Sequence, residues 1–144
     1  MRRRGFTLLE ATFAMALDLI VLAVGYSAYF SVTRADDVER RREMLTTNAQ
    51  SAMARIKQDI RSSGGATAAG STLTLATAAG PVVYRNSPGG VERLSGHRRS
   101  RFADVKVSFR QNGPGVDVSI NADASIHRRV IRVDLDCFVT PRNR

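Results

Sequence analysis

RRRGFTLLEATFAMALDLIVLAVGYSAYF, Arg2 to Phe30, decides how the chain is read. Three arginines come first, then Gly5, then a long apolar run. Phe6 to Val32 contains no proline and reads as a helix of about 27 residues, roughly 40 Å at the α-helical rise. That length crosses a bilayer. Gly25 is its weak point, at about 1 kcal/mol relative to Ala. Tyr26, Tyr29 and Phe30 gather at the far end, where aromatic residues belong at a membrane interface. The basic leader marks the near end as cytoplasmic and the rest as outside. A secretory leader places its apolar core ahead of the cleavage site. Here the apolar core follows Gly5, so it is expected to stay with the protein as an anchor. Two acids, Glu10 and Asp18, sit inside the run. A carboxylate in hydrocarbon costs about 3 kcal/mol or more, so each calls for a physical reason.

The helical pattern continues past the apolar run. In Arg34–Gly65 the apolar residues Val38, Leu45, Ala49, Ala52, Met53, Ile56 and Ile60 form one stripe, with charges on the other faces. Thr33 or Asp36 would cap a separate second helix. The favoured reading is one nearly continuous helix from Phe6 to about Ser62. Gly64-Gly65 is expected to end it through a left-handed glycine.

Beyond Gly65 the period changes to two. Thr72–Ala76, Val82–Arg85 and Val91–Leu94 read as strands, and Asn86–Gly90, NSPGG, as a turn. The small residues from Ala66 to Pro81 read as flexible around Thr72–Ala76, and Ser95–Arg101, SGHRRSR, as a basic loop. Phe102–Phe109, Val116–Ile120 and Val130–Val139 alternate apolar and polar residues. That alternation fits an antiparallel sheet with one face buried, and the stripe from Val38 to Ile60 is its natural cover. The expected fold is therefore α+β, a long N-terminal helix packed on a C-terminal antiparallel sheet. Cys137 falls on the inward face and is expected in the core.

The chain has 144 residues and a net charge of +9, of which +6 remains without Arg2, Arg3 and Arg4. Only Lys57 and Lys106 are lysines; the other basic residues are arginines. A single cysteine excludes an intrachain disulfide and a cysteine-based metal site. His97 and His127 are too few to anchor a typical zinc site. Asn121, Asp123, Asp134 and Asp136 carry oxygen donors of the kind calcium takes, but exposed acids are the favoured reading and no metal is assigned. No nucleophile–base arrangement and no phosphate or dinucleotide fingerprint is present. No cofactor and no enzymatic activity are expected.

Gly5-Phe6-Thr7-Leu8-Leu9-Glu10, with the short basic leader and the apolar run, resembles the cleavage and methylation motif of type IV prepilins and type II secretion pseudopilins. The resemblance implies cleavage between Gly5 and Phe6 by a prepilin peptidase, followed by N-methylation of Phe6. Residues 1–5 would be the leader, 6–32 the transmembrane and filament-core helix, 33–63 its amphipathic continuation, and 64–144 the sheet domain. It also implies that Glu10 pairs with the N-terminal amine of a neighbouring subunit, which supplies the missing reason for its charge. Asp18 departs from the pattern; intramembrane pairing with another subunit and simple tolerance are both open. Ala54–Gly65, ARIKQDIRSSGG, and Val82–Gly96, VVYRNSPGGVERLSG, resemble the J-type pseudopilins and PilW-like minor pilins.

Two functions are expected on this basis. The first is a minor pilin or pseudopilin acting in assembly or at the tip of a filament. Its partners would be other pilin subunits, an inner-membrane platform and the peptidase. The second is a competence-type pilin-like protein holding DNA through HRRSR and His127–Arg129. Phe102 is the only aromatic near those basic residues, so stacking on bases has little support.

Overall fold

The computed structural model describes residues 7–126 and 129–142. The fold is α+β: one helix and two antiparallel sheets. Helix α1 runs unbroken from Leu8 to Ser62, with no second cap at Thr33 or Asp36. The chain divides after Glu39 into two compact units. The second, residues 40–144, contains the last turns of α1 and all the strands.

The predicted stripe is the buried face of α1 in this second unit. Leu45, Ala49, Ala52, Met53, Ile56 and Ile60 are buried, and Asp59 joins them. Val38, in the first unit, is half-buried. The helix does not end on a left-handed glycine, since neither Gly64 nor Gly65 has a positive φ. Two serines close it instead. Ser62 Oγ donates to the carbonyl of Asp59 at 3.1 Å, and Ser63 Oγ to that of Ile60 at 2.7 Å. These side chains satisfy carbonyls that a helix end leaves open. Gly65 then begins the first strand.

The first sheet is a five-stranded meander in sequence order: β1 (Gly65–Ala69), β2 (Thr72–Thr77), β3 (Gly80–Ser87), β4 (Gly90–Ser95) and β5 (Arg98–Ala103). Each connection leaves two residues between paired strand ends, namely Gly70-Ser71, Ala78-Ala79, Pro88-Gly89 and Gly96-His97. Two-residue turns fix the register of antiparallel hairpins, so every strand is locked to its predecessor. The expected NSPGG turn is present. Proline supplies its first corner and Gly89, at φ +79°, its second. Leu73, Leu75, Val82, Tyr84 and Val91 line the inner face with Ala66, Ala68 and Phe102 packed beside them.

Two segments expected outside the sheet belong to it. Ala66–Ala69 lies in β1, and Arg98–Arg101 of the basic loop lies in β5. Both are short edge strands whose composition lacks the apolar alternation of an interior strand. Their conformation comes from the paired backbone of β2 and β4.

The second sheet holds β6 (Lys106–Asn112), β7 (Gly115–Ile126) and β8 (Arg129–Val139), in that order. The expected single sheet is thus two. The chain breaks pairing at Asp104, which takes φ +58° and turns β6 away from β5. Arg41 holds that corner to the helix through an ion pair with Asp104 at 2.8 Å. The two sheets are joined at the edge of β6. The Asn86 side chain donates to the Val107 carbonyl at 2.8 Å and accepts from the Val107 N–H at 2.9 Å. The Phe109 N–H donates to the Gly70 carbonyl at 2.6 Å. Val107, Phe109, Val116, Val118, Ile120, Ala122 and Val139 complete one core with the first sheet and α1. Cys137 alternates inward as expected, yet it is half-buried and lies at the rim of that core.

Gly90 is the tightest position in the first sheet. Its φ is +152°, and a Cβ there would lie 2.1 Å from the Phe102 carbonyl oxygen. Gly90→Ala is expected to destabilise the second unit by about 3 kcal/mol through backbone strain and displacement of β5. Denaturant titration of the detergent-solubilised chain checks this.

Candidate functional site

Gly5 and Phe6 lie outside the described residues. The first residue with a place in the structure, Thr7, stands just before α1 and acts as its N-cap. Its Oγ1 accepts from the Glu10 N–H at 3.3 Å, and its carbonyl accepts from the Ala11 N–H at 3.2 Å. Thr7-Leu8-Leu9-Glu10 therefore has the spacing and half the hydrogen bonding of a capping box. Glu10 also sits in the first helical turn, where the helix dipole favours a negative charge. This local stabilisation went unread in the sequence, although the Thr-x-x-Glu spacing carries it.

From Leu8 to Val32, α1 leaves every apolar side chain exposed. Leu8, Leu9, Phe13, Leu17, Ile20 and Leu22 are all exposed. Among the described residues this is the one helix long and apolar enough to cross a membrane. Its hydroxyls are partly turned back on the helix. Thr12 donates to the Leu9 carbonyl and Ser27 to that of Val24, both at 2.8 Å. Such bonds keep a hydroxyl satisfied without water. Tyr26 and Tyr29 flank Phe30, with ring centroids 4.6 and 6.1 Å from it. The two carboxylates differ from the hydroxyls. Glu10 and Asp18 are both exposed, and the eight residues between them turn the helix by about 80°. Neither forms an ion pair among the described residues.

A second cluster lies within residues 40–144. Asp59, on the buried stripe of α1, accepts from Tyr84 Oη and from Arg93 Nε, each at 2.6 Å. Tyr84 and Arg93 are cross-strand partners on β3 and β4. Arg55, one helical turn before Asp59, reaches its other oxygen at 3.5 Å. Burial raises the Tyr84 phenol well above its ordinary pKa, and the bond to Asp59 raises it further. The bond to Asp59 also raises Arg93. The phenol is fully buried and the carboxylate is spanned by three donors. Nothing in this arrangement offers a substrate an approach, so the cluster is a clamp between helix and sheet. Asp59, Tyr84 and Arg93 fall within the two stretches that carried the finer resemblance. Their convergence could have been suspected from the buried-face position of Asp59.

On the outer face of the same sheet, Glu92 is buried beneath arginines. Arg85 Nη2 lies 3.2 Å from one oxygen, while Arg99 and Ser87 bond the other. The Arg99 guanidinium, aided by Ser87 and Arg85, holds this carboxyl down at about 2 against the cost of desolvation. Arg99 of the HRRSR stretch is therefore partly neutralised, whereas Arg98 and Arg101 are exposed without an acidic partner among the described residues. His97 is exposed in its turn, and His127 and Arg128 lie outside the described residues. Of the acids weighed for calcium, Asp134 accepts from Asn121, and Asp123 lies 3.4 Å from Lys106 Nζ. No group of three or more histidine, cysteine, aspartate or glutamate side chains converges among the described residues.

Comparison with protein families, with curated proteins and with solved structures finds no match for this chain. The architecture is compatible with a pilin-like fold: a long apolar N-terminal helix whose amphipathic end packs on antiparallel strands.

Two measurements check the buried clusters. Asp59→Ala strands the Arg93 guanidinium, whose side chain is only 13% exposed. It is expected to cost about 3 to 5 kcal/mol, while Tyr84→Phe costs about 1 to 2 kcal/mol. For Glu92 the folded pKa is depressed from 4.5 to about 2. The unfolded chain binds the proton first as pH falls. The contribution of Glu92 is therefore complete above pH 4.5 and is lost as pH falls towards 2. Glu92→Gln should flatten stability against pH across that window in acid titrations.

Proposed function

We propose that the chain is a minor pilin or pseudopilin, a structural subunit acting in assembly or at the tip of a type IV pilus or type II secretion pseudopilus. The observation that carries this reading is Glu10, a carboxylate with no ion pair among the described residues, in the first turn of a helix whose apolar side chains from Leu8 to Val32 are exposed. In this reading its partner comes from another molecule. In the reading proposed here, a prepilin peptidase cleaves between Gly5 and Phe6 and methylates the new amine. An N-methyl amine still protonates, so Phe6 of one subunit carries a positive charge to Glu10 of the next. Each charge is costly alone in lipid, and pairing offsets much of that cost. The helix is retained in the inner membrane with its N-terminus cytoplasmic and residues 40–144 outside. Asp18 supplies a second carboxylate for pairing within the helix bundle. The partners are other pilin or pseudopilin subunits, the assembly platform and the peptidase.

The mass of the N-terminal peptide, taken from protein in its native membrane, tests the processing step. An N-methylated Phe6 is expected. An intact Met1–Gly5 leader beside an active peptidase would sink the reading. Glu10 needs a separate test, because its position also suits helix capping. Glutamine serves a capping box as well as glutamate does but carries no charge. Glu10→Gln is therefore expected to abolish incorporation into filaments, and so is Glu10→Ala. Incorporation of the Gln variant alone would reduce Glu10 to a local helix stabiliser.

A further inference from the structure

A groove lies at the C-terminal end of α1, within residues 40–144. It lies between the last turns of the helix, the β2–β3 turn and the segment after β8, with a volume of about 1270 Å³. Lys57 and Arg61 enter it from α1, and Arg142 from the segment beyond β8. Gln58, Thr77 and Thr140 add polar groups, and no acid lines it among the described residues. Six cations of this unit hold a carboxylate, namely Arg41, Arg55, Arg85, Arg93, Arg99 and Lys106, while Arg40, Arg42, Arg98, Arg101, Arg110 and Arg132 stand singly on helix or strand faces without one among the described residues. Lys57, Arg61 and Arg142 form no ion pair among the described residues.

Helix electrostatics accounts for part of this. Cations in the last turn of a helix are favoured by the dipole, which covers Arg61 but not Lys57. Nor does it cover Arg142, which comes from a distant part of the chain into the same groove. Three like charges converging without an acid repel one another, and that repulsion is relieved when a carboxylate enters. Arginine forks take carboxylates in two-point contacts. The groove exceeds the roughly 300 to 1,000 Å³ of pockets that hold drug-sized ligands, so a chain segment fits it better than a single anion. A nucleic-acid strand would call for aromatic side chains to stack on, and none lines the groove among the described residues.

We propose that this groove docks an acidic segment of a partner protein, with Lys57, Arg61 and Arg142 as its carboxylate contacts. The docking does not depend on processing at Gly5 or on Glu10, so either reading can fail without the other.

The test uses the full chain in detergent and a fluorescein-labelled hexaglutamate peptide, followed by anisotropy. The groove variant combines Lys57→Glu, Arg61→Glu and Arg142→Glu. A control of equal net charge combines Arg98→Glu, Arg101→Glu and Arg110→Glu on exposed strand faces. The groove variant should bind at least about tenfold more weakly, and the control should change binding by less than about threefold. Equal losses would reduce the effect to attraction by a basic protein and overturn the proposal. So would failure of the unaltered chain to bind, or tighter binding of a hexathymidylate strand that the same groove variant removes. If the groove variant unfolds, Arg142→Glu alone decides, because Arg142 lies outside every helix and strand. A loss of at least about threefold supports the proposal, and no loss overturns it.

Discussion

The carboxylate of Asp59 is the point at which helix and sheet are set against each other. The hydrophobic stripe of α1 supplies most of the driving force for packing, since burial of apolar surface is the dominant favourable contribution to folding. That force has little direction, and a helix can slide or roll on a greasy sheet at small cost. Asp59 removes the freedom. It sits among isoleucines and methionine on the buried stripe, and its charge is tolerable only where Tyr84 and Arg93 meet it. Those two side chains lie opposite each other on β3 and β4. One turn of α1 is thereby tied to one rung of the ladder. The two-residue turns then carry that registration outward to β1 and β5.

Carboxylates serve opposite ends of the molecule in opposite ways. Asp59 and Glu92 are buried and surrounded by donors, so their charge is spent inside the fold. Glu10 and Asp18 stand on a helix with no cover and no ion-pair partner among the described residues. The first pair makes the second unit a finished object. The second pair leaves the apolar helix unfinished, and that difference places the proposed assembly chemistry at the N-terminal end.

The sequence makes the elements with a strong period legible. The helical stripe from Leu45 to Ile60 and the alternation from Val105 to Val139 both appear in the structure with the expected faces. β1 and β5 were hidden because alanines and arginines at a sheet edge carry no inward-facing apolar pattern. The division into two sheets was hidden for another reason. It rests on a single non-glycine residue, Asp104, in a left-handed conformation, and on a side chain, Asn86, doing the work of a strand. The helix ends at Ser62 as its pattern indicates, but its closure is not the left-handed glycine that the conspicuous Gly64-Gly65 pair suggests, because Ser62 and Ser63 close it by hydroxyl bonds. At the candidate site Glu10 and Asp18 stand out by their charge alone. The Thr7 cap does not, because attention to the motif hides the ordinary helix start inside it.

The Asn86 joint also bears on how the second unit opens. Within each sheet, neighbouring strands are tied by full ladders of main-chain bonds. Between the sheets, an amide side chain and the Gly70–Phe109 bridge stand in for a ladder. Cooperative opening units tend to follow supersecondary boundaries. The seam along β6 is such a boundary, so β6–β8 can part from the meander while both keep their own ladders. Amide exchange would then fall into two protection classes divided at Asp104, with the core side chains, rather than the backbone, transmitting stability from one class to the other.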